Sequence, residues 1–326
     1  MLEVDLAVIG AGVAGLNAAR VAAAAGLQVL VLERMACGGQ VMNVEHINNF
    51  ARFPQGISGF ELGPVLQEEC EEAGVQFLLA EVEGVSVQVQ VAQADGTAPH
   101  NGPPRHLLHC ADEIVAARAV IVAAGSARRK LGVPGEDEME GRGVSHCASC
   151  DGPLVRGLDV VVVGGGDSAI SEALVLAGHA RQVTVVFPLL TPHAEDALTR
   201  AASGQAQIKL LPQAQVTEIV VSPGPSGQPE VRGVQLRSQG MDPLLPAQAV
   251  FVYAGLQANT AFLGQQMALD AAGRIQTDDD RQTSVPGIYA AGDIRAGCDW
   301  RLDAAAADGE VAAHAVVRTL QQGEMS

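Results

Sequence analysis

Aromatic residues are scarce in this chain: one Trp, two Tyr and seven Phe make up 3% of its 326 residues, while 48% are hydrophobic. The core must be built from small aliphatic side chains, which suits parallel sheets flanked by closely packed helices. Basic residues are few as well, with 20 Lys and Arg against 37 Asp and Glu and a net charge of −17. No basic cluster is longer than Arg128-Arg129-Lys130. Nucleic acid is excluded as a partner, because phosphate binding needs a basic face. Long apolar runs are missing too. The stretch Val21 to Leu32 is broken by Gly26 and Gln28 and falls short of the roughly 20 residues of a membrane span. The opening MLEVDLAVIG begins a strand, not a signal peptide, so a cytoplasmic location is expected. Six cysteines are too few and too irregular for a secreted disulfide scaffold in a chain this long. Cys37, Cys70, Cys110 and Cys298 stand alone and read as small buried hydrophobes. Only Cys147 and Cys150 pair as C-x-x-C, with His146 the only nearby candidate to join them on a metal, so no metal site is expected.

What the chain has is two βαβ openings, in a length that favours two domains over one. The first is Leu6-Ala7-Val8-Ile9-Gly10-Ala11-Gly12-Val13-Ala14-Gly15, followed by an alanine-rich helix and the strand Val29-Leu30-Val31-Leu32, which ends at Glu33, twenty-three residues after Gly10. Glycines in this pattern let a pyrophosphate sit against backbone N–H groups at a helix start, and an acidic strand end accepts both hydrogens of a ribose diol. The second opening is Val160-Val161-Val162-Val163-Gly164-Gly165-Gly166-Asp167-Ser168-Ala169, and the same count of twenty-three lands on Phe187 in Phe187-Pro188-Leu189. The phosphate-binding half is retained there and the ribose-binding half is not. An empty domain that merely packs is the plain alternative.

These features predict an α/β chain of two Rossmann-like, three-layer nucleotide-binding domains, the second inserted into the first. The expected boundaries are 1–115 with 248–326 for the first and 116–247 for the second. Ala94 to His106, Ser222 to Glu230 and Ser238 to Pro246 read as hairpin tips, since Gly, Pro and Asn cluster there.

Three further motifs carry a resemblance over nearly the whole chain: Gly38-Gly39-Gln40 after the first acidic strand end, CASCD at 147–151, and Tyr289-Ala290-Ala291-Gly292-Asp293 near the end. In order and spacing the sequence resembles the low-molecular-weight thioredoxin reductases. The resemblance implies an FAD-dependent disulfide oxidoreductase, with FAD on the first domain, NADPH on the inserted one, and a redox-active C-x-x-C on the inserted domain. By that likeness Cys150 is the sulfur nearer the flavin, Cys147 exchanges with the partner, and Asp151 is the acid that protonates the leaving thiolate. An ordinary helix cap is the other reading of Asp151. FAD contacts carry over to Gly10, Gly12, Ala14 and Gly15 at the pyrophosphate, and to Glu33 with Arg34 at the adenosine ribose. Gly39, Gln40, Asn49, Ala124 and Gly125 would follow around the phosphates, ribityl chain and flavin edge. Gly292 and Asp293 would hold the ribityl chain or phosphate, and a helix from about Ala304 would aim its start at the flavin. The implied partners are a thioredoxin-like protein or another dithiol or disulfide, and a second copy of the chain in a homodimer.

Two departures limit the resemblance. The family grips the NADPH 2′-phosphate with a histidine and arginines where this chain has Phe187-Pro188-Leu189 and then His193. Each charge-assisted bond of that kind is worth about 1.5–3 kcal/mol, so NADPH is not the expected reductant. The family's Arg-Gln pair near the flavin aligns with Trp300-Arg301, where Trp300 either packs in the core or stacks on a ring. In losing the NADPH grip while keeping C-x-x-C, the chain resembles the diflavin-linked disulfide oxidoreductase of photosynthetic prokaryotes such as cyanobacteria. A second FAD is then expected on Gly164, Gly165, Gly166, Asp167 and Ser168, with Phe187 stacking. Ferredoxin or oxygen would be the other electron partner. Two alternatives stand beside this: an NADPH-dependent reductase with an atypical clamp using Arg181 or His193, and a non-catalytic flavin-binding sensor.

Overall fold

The computed structural model describes residues 1–88, 105–238 and 240–324. They divide into two compact units, 1–127 with 257–326 and 128–256. The first unit opens with β1 (Leu2–Ile9), α1 (Val13–Ala24), β2 (Val29–Glu33), α2 (Gly59–Glu72), β3 (Gln76–Leu79), β4 (Val82–Gln88), β5 (Arg105–Cys110), β6 (Ile114–Val122) and β7 (Ser126–Arg128). The second holds α3 (Glu136–Met139), β8 (Val144–Ser145), α4 (Ala148–Asp151), β9 (Asp159–Val163), α5 (Asp167–Ala177) and β10 (Gln182–Val186). It continues with α6 (Asp196–Ser203), β11 (Ile208–Leu211), β12 (Ala214–Pro223), β13 (Pro229–Ser238), β14 (Leu244–Pro246) and β15 (Ala249–Val252). The chain returns through β16 (Leu256–Ala258), β17 (Ile288–Ala290) and α7 (Leu302–Glu324).

The first unit is built on a sheet of order β3-β2-β1-β6-β5-β4, with β17 pairing parallel to the far end of β6. Side chains alternate across it as a pleated strand requires. Leu6, Val8, Val31 and Ile121 face the layer of α1, α2 and α7, while Ala7, Ile9, Leu30 and Val122 face the opposite core. Small residues let the helices close up: a Cβ on Gly309 of α7 would lie 2.1 Å from the Ala14 carbonyl oxygen of α1. In the second unit the parallel sheet β11-β10-β9-β15-β8 has α5 over one face and the antiparallel β12-β13-β14 sheet over the other. This is the expected pair of α/β nucleotide folds, the second inserted in the first. Among the described helices none is long and apolar enough to cross a membrane.

Both seams fall later than the sequence suggested. A boundary at 115/116 would cut through β6, whose residues 115–122 ladder with β1 as one parallel strand. The apolar run at Val250 does not return to the first unit, because Ala249–Val252 ladders with β9 inside the second. Continuous apolar strands look alike in either sheet until their partners are known. The tip expected at 222–230 spans the turn between the paired strands β12 and β13, whereas the stretch expected as a tip at 238–246 ends in β14, which ladders with β13, and includes Gln239, outside the described residues. Residues 94–104 of the remaining predicted tip also lie outside them.

Candidate active site and cofactor clefts

At the first glycine turn three glycines do three different things. Gly10 has φ +101°, and a Cβ there would strike the Ala123 carbonyl oxygen at 2.5 Å, so only glycine allows this turn. Gly15 sits where a Cβ would come within 2.0 Å of the Gly10 oxygen, locking α1 onto β1. Gly12, at the helix N-cap with φ −77°, faces open space: a Cβ would meet nothing within 4 Å. Glu33 closes the turn from the strand end. Its carboxylate accepts from the Ala11 N–H at 2.8 Å and the Met35 N–H at 3.0 Å. Beyond it a cleft of about 310 Å³ is lined by Glu33, Met35, Ala36, Cys37, Gln67 and residues 77–79. Burial, with Glu33 next in effect, pushes the Cys37 thiol up to about 11, which makes it a poor nucleophile there.

The other elements converge on this turn. Gly39, at φ +63°, approaches Gly12 so closely that its Cβ would lie 3.3 Å from the Gly12 Cα. Gln40 donates to the Ser126 carbonyl at 2.9 Å, and the Ser126 hydroxyl reaches the Asp293 carboxylate at 3.5 Å. Ala124 and Gly125 are tied by their carbonyls to the Asn259 side chain and backbone N–H. Gly292 packs over Ala14 with φ +76°. Burial holds the Asp293 carboxyl above its ordinary range; the Ser126 hydroxyl opposes this and Asp308 reinforces it.

Sequence reasoning missed Asp308. This residue of α7, 4% exposed, accepts from the Gly292 N–H at 3.2 Å, from Arg281 at 2.9 Å and from Arg295 at 2.7 Å. It fixes the turn that carries Asp293. An aspartate in an alanine-rich helix reads as a solvated face, so nothing in the sequence marked it.

Other expected contacts lie apart from this cluster. Arg34 forms an exposed ion pair with Glu81. Asn49 is exposed. Trp300 is 41% exposed, not core, and has φ +54°. Arg301 is held by Asp303, which also accepts from the Ala304 N–H near the start of α7.

In the second unit Cys147 and Cys150 form a disulfide with Cα atoms 5.3 Å apart. Cys147 is the half-buried N-cap of α4 and its sulfur accepts from the Cys150 N–H at 3.2 Å, whereas Cys150 is exposed. A helix start of this kind stabilises charge on the N-cap sulfur. Asp151 is not used as a side-chain cap. Its carboxylate accepts instead from the Ser145 hydroxyl at 2.6 Å. The Ala148 N–H, inside the small ring, donates to Glu172 at 3.1 Å and to the Tyr253 hydroxyl at 3.0 Å. Burial, with Glu172 beside it, pushes the Tyr253 phenol well up, so it stays protonated. His146 lies between the Val252 carbonyl and Glu140.

The second glycine turn repeats the backbone of the first and fills its opening. Gly164 has φ +139° and could not carry a Cβ beneath the Tyr253 carbonyl. Over Gly166, where Gly12 is open, the His193 ring lies 3.0 Å from a would-be Cβ, and over Gly165 the Phe187 side chain lies 2.9 Å away. The His193 N–H donates to the Gly165 carbonyl, and Asp167 accepts from the Glu195 N–H at 2.7 Å, which draws the 188–195 segment onto the turn. Ser168 is exposed beside them. Phe187 was expected to present its ring for stacking, but it is 2% exposed and packed in the core with Val160, Val185 and Phe251. Phenylalanine at a strand end is driven inward by the same burial energy that suits it to a ring.

A disulfide at the start of a short helix, beside an acid and on a chain with two glycine-turn folds, points to the disulfide oxidoreductases as a class. The family model described as pyridine nucleotide-disulphide oxidoreductase matches residues 4–318. The chain is 36% identical over 325 residues to thioredoxin reductase of Treponema pallidum, covering 98% of this chain and 99% of that one. The crystal structure of Lactococcus lactis thioredoxin reductase (FR conformation) superposes with a TM-score of 0.82 at 30% identity, covering 98% of this chain and 99% of the other. The crystal structure of T. acidophilum thioredoxin reductase superposes with a TM-score of 0.80 at 30% identity, covering 98% of this chain and 100% of the other. The chain belongs to the thioredoxin reductase family and is a flavoprotein disulfide oxidoreductase. The residues at the first turn fit FAD, which that family implies: a Cβ on Gly12 would meet nothing within 4 Å, and the Glu33 carboxylate stands at the end of β2 beside the turn.

Proposed function

We propose that the chain couples FAD to the Cys147–Cys150 disulfide in exchange with a thioredoxin-like protein or another dithiol, and that it uses NADPH poorly. The observation that carries this reading is the crowding of the second glycine turn by His193 and Phe187, with no arginine in the 187–195 segment. FAD would be held by Gly10, Gly12, Ala14, Gly15, Glu33, Gly39, Gln40 and Asp293, and when bound it supplies a two-electron couple. Cys147, the N-cap sulfur, exchanges with the partner, Cys150 is the flavin-side sulfur, and Asp151 delivers or takes the proton. The electron partner is then something other than a nicotinamide, such as ferredoxin or oxygen.

Equilibrium binding tests the reading. NADPH should bind with a Kd weaker than about 1 mM, since loss of two charge-assisted phosphate bonds removes roughly a hundredfold or more. Binding in the low micromolar range would reverse it in favour of an atypical clamp. The retained turn geometry at Gly164 and the N-cap at Gly166 favour one second reading, in which a second FAD displaces His193. Flavin released by heat would then approach two per chain. One per chain, unchanged by added FAD, leaves the second turn empty. Pairing of two FAD units in a homodimer belongs to the same proposal, and sedimentation at the 33.6 kDa chain mass would contradict it.

A further inference from the structure

We propose that Ser145 is a positioning residue for the redox disulfide: its one hydroxyl holds Asp151 against the C-x-x-C ring while accepting from the Cys147 N–H. The proposal rests on Asp151 being the acid of the pair. Ser145 ends β8 and is set by a ladder rather than by a loop, pairing with the fully buried Phe251 of β15. The Gly143 carbonyl accepts from the Val250 N–H at 2.8 Å just before it. The hydroxyl has a single proton and two acceptors in reach, Asp151 at 2.6 Å and the Cys147 carbonyl at 3.5 Å. The shorter, charge-assisted contact takes it. Its lone pair receives the Cys147 N–H at 3.1 Å, so one oxygen joins the acid to the backbone of the N-cap cysteine. The Asp151 N–H adds a second tie to the Cys147 carbonyl at 3.1 Å.

Reduction breaks the S–S bond, takes two electrons from the flavin couple and leaves two thiolates, one of which receives the Asp151 proton. Asp151 ends as a carboxylate, and the Ser145 hydroxyl donates to it. When Asp151 carries the proton, the same contact runs from carboxyl to hydroxyl. A hydroxyl serves both states, so the acid keeps its place through the proton transfer.

The test uses the FAD-loaded full chain and saturating anaerobic dithiothreitol, following flavin bleaching in single turnover, with Asp151 then acting as base by microscopic reversibility. Ser145→Ala should slow bleaching about ten- to a hundredfold, the worth of a hydrogen bond to a charged group, and a parallel series at varied dithiothreitol should show the half-saturating concentration unchanged. Ser145→Thr should recover the rate to within about twofold, and Ser145→Ala should add little in an Asp151→Asn background. A thiol count showing the disulfide intact in each variant separates loss of position from loss of fold. If Asp151→Asn is slow and Ser145→Ala is not, or if Ser145→Ala slows both backgrounds equally, the positioning role is wrong while the acid assignment stands. If Asp151→Asn is as fast as the parent, the acid assignment and this proposal fall together.

Discussion

At Gly10 and at Gly164 the chain turns with φ of +101° and +139°, and the next key glycine in each turn, Gly12 or Gly166, is an extended N-cap with φ −77° or −89°. Two backbones this similar offer the same helix start to a pyrophosphate. They differ in what stands over them: open space at Gly12, the His193 ring at Gly166. They differ as well at the strand end that should grip a ribose, with Glu33 turned onto the first glycine turn and Phe187 turned into the core. On the proposed function a nucleotide fold and a nucleotide site are therefore separable. The fold needs glycines and short strands; the site also needs space and a polar strand end.

The largest effect should come from filling the open turn. A Cβ on Gly12 would meet nothing beyond its chain neighbours within 4 Å, so with Gly12→Val the apoprotein should fold and melt normally. Flavin affinity should fall by more than about a hundredfold as several phosphate bonds are lost, and the protein should purify colourless. Gly166→Ala, on the crowded turn, should leave flavin content unchanged. Equal loss of colour in both variants would erase the contrast.

Next in size is Glu33→Gln. The amide replaces a carboxylate that accepts from two backbone N–H groups, and flavin dissociation followed by fluorescence should show an affinity about tenfold weaker. His193→Ala sharpens the other side of the comparison. It uncovers Gly166 but adds no counter-charge, so titration with adenosine diphosphate should gain no more than about tenfold, the worth of one charge-assisted bond.

How much of this was legible in the sequence follows from the kind of residue involved. Glycines and cysteines announce themselves because few other residues can do their work, so both turns, the strand end at Glu33 and the C-x-x-C were readable directly. The loss of a polar grip at Phe187 was readable too, but not the direction of its ring, which depends on what the neighbouring strands leave unfilled. Asp308 and Ser145 were invisible for a different reason. Their partners lie on other elements or across a turn, Gly292, Arg281 and Arg295 for the one and Asp151 for the other, and local pattern carries no trace of them. The seams at β6 and β15 were missed because an apolar run does not name the sheet it joins.

The smallest effect is on stability. Burial raises the Asp293 carboxyl, Asp308 adds to this and the Ser126 hydroxyl opposes it. The folded apoprotein thus binds that proton more tightly than the unfolded chain, whose carboxyl titrates near 3.8. The contribution of this group to stability is greatest below the unfolded value and is lost as pH rises through the folded one. Asp293→Asn should therefore remove that slope and raise the melting temperature of the apoprotein slightly at neutral pH, even as it weakens flavin binding. Differential melting across pH checks the sign.

The most direct measurement is anaerobic mixing of the FAD-loaded protein with dithiothreitol or with NADPH while the flavin absorbance is followed. Dithiothreitol should bleach the flavin in wild type and fail to do so in Cys147→Ser and Cys150→Ser, and NADPH should act slowly or not at all even at millimolar concentration. Fast bleaching by micromolar NADPH would contradict the account.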